Sequence, residues 1–221
     1  MYENSFLQSF GNDETKAKSY IDQVIAHMQT YYCHSSLGTQ LEIRVTFNYH
    51  QNQSTFVDIF LFQTFKKAVG DHGHIAETWE ASTKYLDRAK KFTGDNAGSN
   101  LMAFITGKSD PEGAAGWDPV GVICDSDVSS RRLIGAKVGG VTMLAYIVAH
   151  EAGHTLGMSH DFVSENNPRY YKGQSCDNKG IMSYGSPPME WSKCSQNDFM
   201  ARYNQVGSAY WCLQSKFHFF T

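Results

Sequence analysis

The chain has no apolar run approaching the roughly eighteen residues a membrane-spanning helix needs, so no span is expected. Residues 1–30 lack the basic, apolar and small-residue order of a signal peptide. The expectation is a mature chain whose leader and pro-segment have been removed. Charge of one sign is missing too: 19 Lys and Arg stand against 22 Asp and Glu, interspersed, for a formal net charge of -3. That balance excludes a long basic face for nucleic acid and a polybasic membrane patch. No internal repeat or low-complexity segment occurs. What is present is 221 residues, 41% hydrophobic and 14% aromatic, enough for one well-cored domain with a cleft, residues 1–221, expected as a monomer.

One stretch organises the rest. In Val141 to Asp161, VTMLAYIVAHEAGHTLGMSHD, His150 and His154 lie four apart in an apolar pattern of helical period. Their imidazoles therefore project from one face and can share a cation. A catalytic Zn²⁺ takes three protein ligands and keeps one position open, and His160 is the candidate third ligand. On a straight helix His160 would lie about 15 Å along the axis from His150, so the helix must stop between them. Gly157 stands where a left-handed residue would reverse the chain and return His160 to the metal. Glu151, beside the first histidine, is the candidate general base.

The spacing is specific. By average residue frequencies, HExxH alone would occur by chance in roughly one chain of this length in fifty, but with Gly157 and His160 added in fewer than about one in ten thousand. Satisfied core histidines on an ordinary helix do not explain it. A structural zinc would more often use four protein ligands including cysteine.

Elsewhere the pattern is coarser. Asp13 to Tyr32 reads as a helix with Ala17, Tyr20, Ile21, Val24, Ile25 and Met28 on one stripe. Leu41 to Phe47 alternates as a strand, Phe56 to Phe65 fits several elements, and Thr78 to Phe92 reads as a helix. Asp71-His72-Gly73-His74 is a polar turn with no third ligand at useful spacing. Leu101 to Ile105 and Val120 to Cys124 read as strands, with Asp110 to Pro119 a loop between them. Leu133 to Val138 is expected as an edge strand beside the zinc helix, where an extended protein or peptide substrate could add by main-chain bonds. Gly139-Gly140 permits a sharp entry into that helix. Residues 162–193 should be loop-rich, and Ser195 to Asp198 matches a capping box that opens a last helix. Of the five cysteines, Cys124, Cys176, Cys194 and Cys212 frame the zinc stretch as disulfides of a secreted protein would, while Cys33 is left over. Asn52-Gln53-Ser54 is a glycosylation sequon.

His150-Glu151-x-x-His154-x-x-Gly157-x-x-His160 has the metzincin form. Gly180-Ile181-Met182-Ser183-Tyr184-Gly185 resembles the Met-turn of that clan, in which a methionine floors the three histidines. Asp161 after the third histidine, Cys176-Asp177 before the turn and Trp191-Ser192-x-Cys194-Ser195 after it resemble the adamalysin or reprolysin family, catalytic domains of snake-venom and disintegrin-bearing metalloproteases. The resemblance covers roughly residues 13–212. It implies an α/β (α+β) metzincin fold: a twisted, mostly parallel sheet with helices in an upper lobe, about 1–157, and a small loop-rich lower lobe, about 158–221, with zinc between. It also implies a secreted zinc-dependent endopeptidase in which Asp161 anchors the turn and Tyr184 to Pro188 walls the pocket.

The same resemblance suggests pairing Cys124 with Cys212 and Cys176 with Cys194, although sequence alone allows other pairings. Three features depart from it. Tyr184 stands where astacins and serralysins carry a tyrosine able to act as an extra zinc ligand, which gives an astacin-like alternative. The family's first strand has no evident apolar run before Asp13. Its Ca²⁺ site draws on an acidic residue near that strand, which leaves calcium without its expected ligand. A secreted binding module that keeps the fold without catalysis is the other alternative, and loss of Glu151 or a histidine would mark it. Neither loss is present.

Overall fold

The computed structural model describes residues 2, 4–39, 101–109, 111, 113–123, 132–164, 167–176, 180–184 and 190–206. The strand at Leu41 to Phe47, the segment Phe56 to Phe65, the helix at Thr78 to Phe92, the Asp71 to His74 turn, the sequon, Cys124 and Cys212 lie outside them. Helices and strands are mixed, as an α/β chain requires.

The segment before Asp13, which has no evident apolar run for a first strand, contains a short helix, α1 (Asn4–Gln8). Phe6 is fully buried, and Tyr2 bridges Ile105 in parallel. Among the described residues before Asp13, this bridge is the one strand pairing, and Phe6 enters the core on a helical turn. Helix α2 (Glu14–Tyr32) begins where its sequence says: the Asp13 carboxylate accepts from the Lys16 N–H and caps it. Ala17, Val24 and Met28 are buried along its stripe. A 3₁₀ turn (Ser35–Leu37) follows, capped by His34.

Strand β1 (Met102–Thr106) pairs in parallel with β3 (Arg132–Ala136), placing Phe104 opposite Ile134. Strand β2 (Gly116–Trp117) pairs antiparallel with β3 from the other side. The order is therefore β1-β3-β2, and β3 is not the edge strand expected at Leu133 to Val138. The segment expected as loop, Asp110 to Pro119, supplies the outer strand instead. A two-residue strand carries no readable alternation, so only the tertiary pairing reveals it. The strand expected at Val120 to Cys124 is, over Val120 to Ile123, a turn. Its N–H groups at Gly121 and Ile123 donate to the carbonyls of His154 and Thr155 at 2.8 and 3.0 Å. Apolar residues here cap the end of a buried helix, whose last carbonyls have no partner within it.

Helix α3 (Val141–Thr155) enters from Gly140 and is buried from Leu144 onward. It packs between α2 and the sheet. The Tyr32 hydroxyl donates to the Ala149 carbonyl at 2.8 Å, and the Trp191 indole donates to the Tyr31 carbonyl at 2.9 Å. The first bond fixes the register of α2 against α3, and the second ties Trp191 to α2. Beyond it the chain makes two small hairpins, β4 (Phe162–Ser164) with β5 (Asn167–Pro168) and β6 (Tyr170–Tyr171) with β7 (Gln174–Ser175). Helix α4 (Lys193–Val206) starts before the expected Ser195. Ser192 is its cap, its hydroxyl accepting from the Ser195 N–H at 3.0 Å. The Ser195 hydroxyl is diverted to Asp161.

Candidate metal centre

Helix α3 carries His150, Glu151 and His154 on buried turns, and Gly157 ends it with φ 94°. A side chain at that φ would be strained, and a Cβ there would press on Arg202 Cβ at 2.8 Å. The reversal returns His160. One ligand nitrogen from each of His150, His154 and His160 lies within 4.8 Å of the others, and His154 Nε2 faces His160 Nε2 at 3.1 Å. Two nitrogens bound to one tetrahedral Zn²⁺ at about 2.0–2.1 Å sit roughly 3.3 Å apart, so this pair has ligand spacing.

The outer nitrogens define which atoms point inward. His150 Nδ1 donates to the Ile181 carbonyl and His154 Nδ1 to the Met158 carbonyl, each at 2.7 Å. A carbonyl only accepts, so the proton sits on Nδ1 and the Nε2 lone pair faces the cluster. Burial, then the neighbouring His154, pushes His150 down to about 3. Burial and His154 likewise take His160 to about 4, and burial lowers His154. Three neutral imidazoles gathered at this spacing suit a borderline-soft dication, and the residues fit zinc.

Glu151 is buried beside them, and burial pushes its carboxyl up to about 8. Gly116 of the outer strand lies directly over it: a Cβ added there would fall on the Glu151 carboxylate. Met182 is fully buried under the site, its Sδ 2.7 Å from where a Cβ on Gly153 would stand, with Trp191 and Met158 around it. The glycine between the two helical histidines therefore admits the methionine. Tyr146 donates through its hydroxyl to the Ser183 carbonyl and ties the same turn to α3.

Asp161 is fully buried and accepts from the hydroxyls of Ser183, Ser192 and Ser195, while its N–H donates to the Met182 carbonyl at 3.0 Å. Burial raises its carboxyl, and those bonds work against the rise. Tyr184 is 65% exposed, with its hydroxyl 3.4 Å from His160 Nε2 and its ring near Phe162. Cys176 and Cys194 form a disulfide with Cα atoms 6.0 Å apart. Cys33 is exposed and accepts from Gln29 Nε2.

The motif did not disclose the Ile181 and Met158 carbonyls, Gly116, Phe162, Arg169 or Asp198. Backbone acceptors leave no trace in residue identity. Phe162 is an unremarked aromatic until its ring is found stacked on His160 at 4.8 Å.

The titrations give a pH profile for the metal-free protein. His150 and His160 fall from 6.5 to about 3 and about 4 on folding, so below pH 6.5 the unfolded chain takes up protons the folded one refuses. Stability is lost as pH falls. Glu151 rises from 4.5 to about 8, so its contribution is full below 4.5 and lost as pH rises through about 8. From these groups the apo Tm should peak near pH 6.5 and fall on both sides; a monotonic rise from pH 6.5 to 8 would contradict the Glu151 assignment. Bound zinc, by favouring the carboxylate, should flatten the alkaline limb.

A helix and its return turn bringing three neutral imidazoles together beside a buried glutamate is the arrangement of a zinc metalloendopeptidase. The chain belongs to metallo-peptidase family M12: the family's Reprolysin_5 model matches residues 1–204. It is 24% identical over 223 residues to "A disintegrin and metalloproteinase with thrombospondin motifs 1" of Bombyx mori, covering 97% of this chain and 19% of that protein. It is 30% identical over 118 residues to "A disintegrin and metalloproteinase with thrombospondin motifs 10" of Homo sapiens, covering 49% of this chain and 9% of that protein. The chain thus spans less than a fifth of the length of these relatives. Among the described residues no helix is long and apolar enough to cross a membrane.

Proposed function

We propose that this chain is the catalytic domain of a secreted endopeptidase that hydrolyses internal bonds of protein substrates, with one zinc held by His150, His154 and His160. The observation that carries this is the converged imidazole cluster with Glu151 buried beside it. A zinc ion bound there supplies Lewis-acid activation of water and polarises the scissile carbonyl. Glu151 takes the proton of the attacking water and delivers it to the leaving amine. Its high pKa in the metal-free site suits a group that must hold a proton midway through the reaction. Asp161 anchors the turn through the three serines, and Met182 floors the histidines without binding metal. The two lobes divide at about residue 157. The Cys176–Cys194 disulfide supports an oxidising, extracellular address.

Substrate would lie along β2, the outer strand of the described sheet, whose Gly116 packs directly against the Glu151 carboxylate and so brings the strand next to the base. The Tyr184 hydroxyl favours a second reading within the same chemistry. Its 3.4 Å distance from His160 Nε2 suits an additional ligand or a donor to the carbonyl oxygen. A binding module without catalysis has no observation in its favour. Profiling a peptide library with zinc-loaded protein separates the readings. Cuts between internal residues are expected, and trimming confined to chain ends, or no cleavage, would overturn the endopeptidase assignment.

A further inference from the structure

The three histidines are not held alike. His150 and His154 stand on a buried helix, each with Nδ1 locked to a backbone carbonyl. His160 stands on a segment that is neither helix nor strand, and among the described residues nothing is hydrogen-bonded to its Nδ1. Ring direction decides whether the lone pair of His160 meets the metal, so what holds its ring and its turn matters to binding.

The backbone around it is gripped instead. Arg169 Nη1 donates to the His160 carbonyl at 3.1 Å and to the Ser159 carbonyl at 3.4 Å. The same guanidinium forks onto Asp198, Nη1 to Oδ2 at 2.7 Å and Nη2 to Oδ1 at 2.9 Å. Asp198 Oδ2 also accepts from the Ser159 N–H at 3.1 Å, and the Arg169 N–H donates to the Asp161 carbonyl at 3.0 Å. Two side chains and one backbone amide thereby bind Ser159, His160 and Asp161 together. Both side chains are anchored in turn: the Arg169 carbonyl accepts from the Cys176 N–H, and Asp198 lies on α4 one turn beyond Cys194, the disulfide partner of Cys176. Phe162 then stacks on the imidazole itself, at 13° between planes.

We propose that the Arg169–Asp198 pair is a positioning device for the third metal ligand, presetting His160 so that zinc binding does not have to order the turn. The pair is well suited to this. Its side chains are 25% and 15% exposed, which limits screening by water and salt, and the bidentate geometry fixes direction as well as distance. An unfixed turn would have to lose its conformational freedom when metal binds, and that cost would appear as weaker affinity.

This rests on zinc binding at the three histidines, and the test separates the two. Zinc affinity is measured by competition with a chromophoric chelator, alongside apo melting and the visible spectrum of the cobalt-substituted protein. Asp198→Asn keeps shape but loses the charged fork; Arg169→Lys keeps charge but cannot hold Asp198 and the His160 carbonyl at once. Each is expected to weaken zinc binding by about 10–100-fold and to alter the cobalt spectrum, since supporting partners of ligands carry effects of that size. The double variant should be no weaker than the poorer single one, because both act through one contact. Should Asp198→Asn fail to fold, Arg169→Lys reads the same quantity. Folded variants that bind zinc within about twofold of wild type, or that lose apo stability with the cobalt spectrum unchanged, would overturn the proposal. Wild-type protein that binds no stoichiometric zinc, or His160→Ala that binds it normally, would instead sink the zinc reading itself.

Discussion

Glu151→Gln is expected to slow peptide hydrolysis by about 10²–10⁴-fold while zinc content and the melting temperature of the loaded protein stay as in wild type. The amide keeps the shape of the side chain under Gly116 but cannot accept the proton of the attacking water. Glu151 is nine-tenths or more out of solvent, 7% exposed, so no bulk water stands ready to replace it. It also lies outside the imidazole cluster, so the metal should remain. A casein-type substrate serves as the assay, with metal content read by atomic absorption on the same sample. Cleavage within about threefold of wild type would rule out this residue as the base.

Removing the metal should be as severe. Chelation is expected to abolish cleavage and to lower the Tm, with both restored by stoichiometric Zn²⁺. A ligand at about 1,000 times its dissociation constant stabilises by about 4 kcal/mol, which for a chain of this size corresponds to roughly 10 °C. His160→Ala leaves two ligands on α3 and should mimic chelation even at saturating zinc, because two imidazoles do not complete a closed three-point site. Differential scanning calorimetry with and without chelator checks the first claim. Full activity in demonstrably metal-free protein would refute it.

The readable parts of this chain are those where a local pattern has one physical meaning. The 3.6-residue stripe from Ala17 to Met28 marked α2, since an amphipathic face is a local property, and the structure adds Asp13 as its cap. Gly157 was legible as the reversal because only glycine takes φ near 94° without strain. Where the reading failed, the deciding partner was distant in sequence. The apolar stretch Val120 to Cys124 looked like a strand, yet the amides of Gly121 and Ile123 cap α3. Ser195 looked like a helix cap, but Asp161 claims its hydroxyl and Ser192 takes the capping role.

The edge of the described sheet shows the same division. Leu133 to Ala136 has the apolar character of a strand, and periodicity says nothing about how many neighbours a strand has. Only pairing with β1 on one side and Gly116–Trp117 on the other makes it internal.

From sequence alone came the proposed ligand set and the proposed base, the reversal at Gly157, the resemblance to a methionine turn and the reprolysin kinship, because metal chemistry demands particular residue types at spacings set by helix geometry. Tertiary structure alone decided how that set is held: which carbonyls lock His150 and His154, which glycines let Met182 and the outer strand approach, and how Arg169 and Asp198 grip the turn that carries His160. Those contacts join backbone atoms and side chains far apart in the chain, and no residue's identity announces the partner that folding will bring to it.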